Sequence, residues 1–404
     1  MPTSTAAALT PETRARHHDW LLQVTQIPTA AGREGRVIEW VRAWVSGRPD
    51  LKLREDPSGN LEIRLAGEAP SSAAPVYFTA HLDHPAFVVE RVISPSTVQL
   101  AFRGGVMDDY FREARVVIHT REGARHAATL TGQTDPTSPL FKSYLAELDR
   151  ATDGITTADI ATWDLPEACI RDGILYTHAC DDLAALAAAL AAFDVLREER
   201  GRGQEPPPQP VRLLFTRAEE IGFVGAIAAC REGTMPRNAR VIALENSRSF
   251  DDSPIGGGPI VRVGDRLSIF SPTLTSAIAK RAEDIAGGAQ PTAAQKLSER
   301  PSWKWQRKLM AGGACEATVF CSAGYDATCL CLPLGNYHNM ADLAAVQAGT
   351  NTAPAKIGPE FIALADFDGL VDLLVACGEH IPGSPSVRDR IDKLWNEREF
   401  VLRE

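Results

Sequence analysis

Five short segments hold the residues whose types and spacing could do chemistry together. They are HLDHP at 81–85, CDD at 180–182, AEE at 218–220, ALENS at 243–247 and NYHNM at 336–340. They offer His81, Asp181, Glu220, Glu245 and His338 as metal ligands, with Asp83 and Glu219 beside two of them. Hard carboxylates combined with imidazoles suit zinc, cobalt or manganese better than calcium. A two-ion site needs one shared carboxylate and about two further ligands for each ion, which is the set on offer. A neighbouring carboxylate that ligates nothing would serve as a general base. The chemistry is that of a metal-dependent hydrolase.

Each segment alone has an ordinary reading. His81 and Asp83 lie two apart and face one side of a strand, where Asp83 could orient the imidazole through a hydrogen bond. A short HxD is also a common turn. Asp181 and Asp182 precede a long apolar run, as an N-cap and its neighbour would. Glu219 and Glu220 follow the apolar VRLLFT, and two adjacent carboxylates are costly to bury unless a cation compensates one of them. An exposed acidic pair in a first helical turn is the alternative, but Phe215, Ile221 and Phe223 beside them favour burial. Glu245 could start a turn, and a lone His338 could be structural. The joint pattern outweighs these readings. Four strand ends and one helix start present His, Asp, Glu, Glu and His, and ligands bind at the carboxyl ends of strands in α/β sheets.

The elements that must position these residues follow from periodicity. Residues 11–49 show helical spacing, broken at Pro28 and Gly32. Residues 51–67 read as two strands around a turn, and 76–83 as a buried strand that delivers His81 and Asp83. Residues 86–171 alternate with period two in several short runs, as in a small antiparallel β unit closed by DIATWDL at 159–165. A helix rich in Ala and Leu spans 183–200, and GRGQEPPPQP at 201–210 is a surface loop. Strands follow at 211–216, 239–246 and 327–334, with helices at 222–231, 271–286 and 367–381. Residues 287–310 are polar and irregular. Strands alternating with helices predict an α/β fold with a largely parallel sheet, interrupted by an inserted β-rich domain. The predicted division is a discontinuous catalytic domain, 1–87 with 172–404, and an insert, 88–171.

Bulk properties exclude some classes. At 404 residues the chain is long enough for one large domain plus a smaller one. A net charge of −10 argues against nucleic acid or anionic membrane as partners. The N-terminus has no signal-peptide core, and the longest apolar stretch, 183–193, is too short to span a bilayer. Eight cysteines without a CxxC pair read as reduced thiols of a cytoplasmic protein. GGGP at 256–259 does not open a helix after a strand, so no phosphate loop is expected, and there is no GxSxG elbow. Acidic neighbours should raise the thiol pKa of Cys180 and Cys315 and blunt both as nucleophiles.

At these segments the chain resembles the glutamyl-aminopeptidase and deblocking-aminopeptidase group, the tetrahedral aminopeptidases, within the wider dinuclear zinc exopeptidases. The resemblance runs from SGN through HLDHPAFVV, DIATWD, the DD helix, FTRAEEIGFVGA, GGGPIVRVGD and GGACEA to LPLGNYHN, nearly the whole chain. The gap of 100 residues between His81 and Asp181 favours this group. Carboxypeptidase, deacylase and dipeptidase relatives carry their insertion after the EE pair.

The resemblance implies a three-layer α/β/α catalytic domain with an inserted small β-barrel. It implies two divalent ions per chain, zinc first, then cobalt or manganese. His81 would be the first ligand with Asp83 its orienting partner, Asp181 the bridge with a cis bond to Asp182, Glu219 the general base, and Glu220, Glu245 and His338 the remaining ligands. It implies aminopeptidase activity on peptides and a homo-oligomer. Within the insert, RGGVMDDYFRE at 103–113 is loop-like, and its Tyr110 and Phe111 are the expected self-association residues. Three positions depart from the group. Glu245 replaces an Asp, HLDHPAF replaces HMDEIGF and adds His84, and GACEA replaces Gly-Thr-Asp-Ala, placing Cys315 and Glu316 near the substrate. Glu316 is a candidate to receive the substrate amino group. The altered HLDHP and GACEA segments keep open an amidohydrolase acting on N-acyl or C-terminal amide small molecules, and a non-catalytic metal-binding scaffold is a third reading.

Overall fold

The computed structural model describes residues 9–68, 73–201, 209–288, 303–383 and 387–404. The chain opens with helices α1 (Pro11–Val24) and α2 (Gly35–Ser46), then the hairpin β1 (Leu51–Glu55) and β2 (Leu61–Leu65), then β3 (Val76–His81). Six strands follow, β4 (Ala86–Ser94), β5 (Thr97–Arg103), β6 (Arg115–His119), β7 (Arg125–Thr134), β8 (Lys142–Leu148) and β9 (Ile160–Trp163). Strands β10 (Cys169–Arg171) and β11 (Ile174–Thr177) lead to α3 (Leu183–Gly201), β12 (Val211–Thr216), α4 (Val224–Glu232), β13 (Arg240–Arg248) and β14 (Ile260–Asp265). Then come α5 (Pro272–Ile285), β15 (Gln306–Met310), α6 (Glu316–Ser322), β16 (Asp326–Leu334), α7 (Leu343–Ala348), β17 (Glu360–Ala363), α8 (Leu364–Glu379) and α9 (Val387–Arg398).

The main sheet runs β1-β2-β12-β3-β13-β16-β14-β15. Its centre, β12-β3-β13-β16, is parallel, and β2 and β14 flank it antiparallel. Every residue of β3 is buried, as expected for a strand covered on both faces. One face carries α1, α2, α3, α5 and α8, and the other carries α4 and α6, each over its own apolar cluster. The result is the expected α/β/α sandwich. Helix α3 lies deepest: residues 183–196 are all buried, and its alanines let α1, α8 and the sheet approach closely. An Ala-rich sequence serves here because Ala has the highest helix propensity and the least bulk.

The segment with period-two alternation closes on itself as a barrel, β4-β5-β8-β7-β6-β9. The closing strand is β9, within the expected 159–165, and it pairs with both β4 and β6. The barrel is filled by aromatic rings: Phe87, Phe102, Phe111, Tyr144 and Trp163 pack edge to face or stacked. This corrects the expectation for 103–113. Tyr110 is 1% and Phe111 4% exposed, and Phe111 stacks on Tyr144 at 4.4 Å. The Tyr110 hydroxyl donates to the Ala341 carbonyl at 2.6 Å. These aromatics build the barrel core and its seam with the rest of the chain, and they offer no surface to a second subunit.

Other differences are local. Residues 306–310, expected to be irregular, form the edge strand β15, parallel to β14. Most of the rest of that stretch, 289–302, and most of the expected loop at 201–210 lie outside the described residues. The GGGP segment is a turn held by Asp366, whose carboxylate accepts the Gly256 and Gly258 N–H groups, each at 2.7 Å. Gly258 has φ +89°, and a Cβ there would collide with the Lys304 carbonyl, so only glycine fits.

Candidate metal centre

The parallel strands β3, β12, β13 and β16 end along one edge of the sheet, and the candidate residues gather there. His81 is the last residue of β3, and Glu219 and Glu220 follow β12. Glu245 lies in β13, and His338 sits in the turn after β16. Asp181 and Asp182 immediately precede α3, which packs against this edge, and the peptide bond between them is cis, as the resemblance implies. The structure brings all seven expected residues together.

Asp181 is the centre. Its Oδ1 lies 3.3 Å from His81 Nε2 and its Oδ2 3.4 Å from His338 Nε2. His338 Nε2 is 3.5 Å from Glu220 Oε1, and His81 Nε2 is 3.9 Å from Glu219 Oε2. Ligand atoms about 2.0–2.1 Å from a tetrahedral zinc stand about 3.3 Å from one another. Asp181, Glu220 and His338 form one compact donor group, and His81, Asp181, Asp182 and Glu245 another. Asp181 Oδ1 and Glu220 Oε1 are buried with no hydrogen-bond partner among the described residues, a costly arrangement that a cation would relieve. The residues present fit two divalent ions with Asp181 between them.

Supporting contacts fix the imidazoles. His338 Nδ1 donates to the Gly105 carbonyl at 2.6 Å, and His81 Nδ1 to the Asp83 carbonyl at 3.1 Å. Both leave Nε2 as the lone-pair nitrogen facing Asp181. The acceptor nearest His81 is thus the Asp83 backbone, with the carboxylate at 3.5 Å. That carboxylate accepts the backbone N–H groups of Glu219 at 2.9 Å and Glu220 at 3.1 Å. His84 does not face the substrate space. Its Nδ1 meets the Asp181 carbonyl, its Nε2 meets Asn339 Oδ1 at 3.0 Å, and burial lowers its pKa to about 4.

Further side chains brace the cluster from behind. Asp182 Oδ2 accepts the His81 N–H at 3.1 Å, while Asn246 reaches the Cys180 carbonyl and Asp182 Oδ1. Glu34, fully buried, accepts the Ala218 N–H at 3.0 Å and pairs with Arg217, fixing the turn that presents Glu219. Glu360 accepts three backbone N–H groups of the site. Asp182 and Asn246 lie inside the CDD and ALENS segments, whereas Glu34 and Glu360 are acidic residues in runs with no motif around them.

The electrostatics are those of crowded anions. Burial, reinforced by neighbouring carboxylates, pushes the pKa values of Glu219, Glu220 and Glu245 well above the usual carboxylate range. Burial acts the same way on Asp181, but the imidazoles of His338 and His81 that face its two oxygens outweigh it and hold this one carboxylate low. Burial raises Glu316 to about 7, and the opposing pull of His81 and of a hydrogen bond with Thr216 does not reverse this. The cysteine expectation divides. Burial, then Glu360 and Asp181, push Cys180 up, as expected. Burial acts upward on Cys315 too, yet a hydrogen bond with Cys329 and the Arg262 guanidinium bring it down to about 7, contrary to expectation. All eight cysteines are free thiols.

A small cavity of about 210 Å³ opens onto Asp181, Glu219, Glu220, Glu245 and His338. A larger one, about 540 Å³, shares Glu245, Ala314 and Tyr337 with it and extends past Arg262, Phe250, Leu309 and Met340. Arg262 is 2% exposed, and its guanidinium donates to Ser247 Oγ at 3.1 Å. It has no ion-pair partner within 4.0 Å among the described residues.

Comparison with known proteins agrees with this geometry. The sequence model of the family described as M42 glutamyl aminopeptidase matches residues 59–353. No curated protein matches the sequence. Among solved structures, an aminopeptidase from the archaeon Desulfurococcus kamchatkensis superposes with a TM-score of 0.69 at 20% identity, covering 91% of this chain and 95% of that one. The TET1 peptidase of Pyrococcus horikoshii, described as assembling into a tetrahedron or a large octahedral shell, gives 0.67 at 21% identity, covering 90% and 99%. A TET aminopeptidase from a marine sediment archaeon of the Thaumarchaeota gives 0.68 at 17%, covering 91% and 97%.

Proposed function

This chain belongs to the M42 glutamyl aminopeptidase family, and from that premise we propose that it removes N-terminal residues from peptides at a two-metal site centred on Asp181. The observation that carries the proposal is the placement of Asp181, one carboxylate oxygen toward each imidazole. His81 and Glu245 would complete the shell of one ion, and Glu220 and His338 that of the other. Zinc is the proposed metal, with cobalt and manganese as functional substitutes. Such ions, when bound, supply Lewis-acid polarisation of the scissile carbonyl and a more acidic attacking water.

The residues of the chain do the rest. Glu219 takes the proton of the attacking water and returns it to the leaving amine. It reaches into the small cavity, while its backbone is pinned by Asp83. Asp83 and Gly105 set the tautomers of His81 and His338 through their carbonyls. Glu316 is proposed to receive the substrate ammonium, a reading supported by its buried Oε1, which has no hydrogen-bond partner among the described residues. For the side chain of the first substrate residue we infer a carboxylate. The large cavity holds the buried guanidinium of Arg262, which has no carboxylate within 4.0 Å among the described residues, and such a group favours an anion.

The chain is read as two units, catalytic (1–87 and 172–404) and inserted (88–171), with the barrel as the body of the insert. A homo-oligomer is proposed by analogy with the Pyrococcus horikoshii relative, through surfaces other than Tyr110 and Phe111. A cytoplasmic location accords with eight free thiols; among the described residues no helix is long and apolar enough to cross a membrane.

The test is a panel of amino-acid amides, short peptides and their N-acylated forms, assayed before and after chelation and after addition of zinc, cobalt or manganese. The expected result is turnover of free N-termini, lost on chelation and restored by metal. Activity that survives exhaustive chelation would defeat the metal reading, and turnover confined to N-acylated substrates would establish the amidohydrolase reading instead.

A further inference from the structure

We propose that Glu360 is a positioning residue that locks the two ligand-bearing segments of the metal site to one another. Its side chain is fully buried. Its Oε2 accepts the backbone N–H groups of Cys180 at 2.7 Å and Asp181 at 3.0 Å. Its Oε1 accepts the backbone N–H of His338 at 2.8 Å. A single carboxylate thus holds, by separate oxygens, the segment that carries the bridging Asp181 and the segment that carries His338.

The backbone around Glu360 makes the same connection. Strand β17 pairs antiparallel with β11, setting Glu360 opposite Thr177, just before the Cys180–Asp182 segment. On the other side Phe361 bridges to Gly335, just before His338, with Gly335 N–H to Phe361 O at 2.9 Å. A Cβ on Gly335 would run into the Phe361 ring. Strand β17 therefore lies between the two segments, and Glu360 is the residue whose side chain closes the gap.

Three N–H donors converge on two oxygens, which suits an acceptor-only carboxylate. Glutamine in its place retains one acceptor oxygen and turns an NH₂ toward an N–H donor, so it can hold one segment and repels the other. The segments of His81 and Glu245 are held by other acceptors: the His81 N–H donates to Asp182, and the Asn246 N–H to Glu245 itself. Glu360 thus holds two of the three proposed ligands of the ion served by His338, Glu220 and Asp181, but only the shared Asp181 of the other, so the first ion should weaken more.

The inference rests on the two-metal reading above, so the experiment separates the two. Wild-type and Glu360→Gln proteins are stripped of metal and titrated with Co²⁺, followed by visible absorption, and with Zn²⁺ against a competing chelator. Thermal melts are recorded for metal-free and loaded forms. The wild type should bind two ions per chain. The variant should bind the ion of His338 and Glu220 roughly ten- to hundredfold more weakly, as for loss of an outer-sphere support, and the other ion with a smaller loss. Its metal-free melting temperature should stay near that of the wild type, while the increment gained on loading shrinks. A wild type that binds no ion defeats the two-metal reading. Two ions bound as tightly by the variant as by the wild type, equal weakening of both, or a metal-free form destabilised as much as the loaded one, overturns the role given to Glu360 alone. If the Gln variant does not fold, Glu360→Asp, which keeps the charge but lacks the reach to both segments, is judged by the same readings.

Discussion

The carboxylate of Asp83 sits beneath Glu219, accepting its backbone N–H at 2.9 Å and, with the second oxygen, that of Glu220 at 3.1 Å. The bidentate grip fixes the turn from which the two glutamates diverge, one toward His338 and one toward the open cavity. The base and the ligand are therefore set by one anchor, and the base can be altered without moving the ligand.

Glu219→Gln should retain two ions per chain and the native melting temperature while turnover falls by about a hundred- to ten-thousandfold, the usual contribution of a general base. Metal analysis alongside steady-state kinetics checks this. Undiminished turnover would place the base elsewhere.

Asp181→Ala should weaken both ions together, because each imidazole faces a different oxygen of this carboxylate. Metal content after dialysis should drop toward one or none per chain. Retention of two would reduce Asp181 to a residue that merely starts α3.

Stability should depend on pH in opposite senses with and without metal. Glu219, Glu220 and Glu245 have folded-state pKa values raised well above their ordinary ones, and Glu316 is raised to about 7. Groups raised in the folded state contribute stability below the unfolded pKa and lose it as pH rises through the folded value. Asp181, held low, acts in the other direction but is outnumbered. The metal-free protein should melt lower at about pH 8 than at about pH 5.5. The zinc-loaded form should gain over the same interval, because metal displaces those protons. A metal-free melting temperature that climbs with pH would contradict the cluster electrostatics.

Arg262→Met should lower the ratio of kcat/KM for glutamyl over leucyl substrates by about ten- to hundredfold, the worth of one charged hydrogen bond. Equal loss on both substrates would mean that Arg262 supports the fold and not the choice of residue.

Much of this was legible in the chain because the ligands sit where periodicity changes. His81, Glu219 and His338 each follow an apolar strand of the kind that sequence periodicity detects. The barrel was legible through period-two alternation, and its closing strand through DIATWDL. What stayed hidden has a common cause. Tyr110 and Phe111 lie in a stretch that looks like an exposed loop, and only the closure of the barrel buries them. The Cys315 thiol is governed by Arg262 and Cys329, from distant strands, and not by the acidic residue next to it. Glu360 lies 22 residues beyond His338 in sequence, and the registry of β17 alone brings it back.

The hydrogen bond from His338 to the Gly105 carbonyl joins the two units at their most sensitive point. Gly105 follows the second barrel strand, so the barrel selects the protonation form of a ligand that it does not itself supply. A shortened chain that joined the flanks of the insert directly would retain every proposed ligand yet lose the acceptor that turns His338 Nε2 toward the metals. The insert thus belongs to the inner workings of the catalyst, and engineering of this scaffold has to treat the Gly105 turn as part of the site.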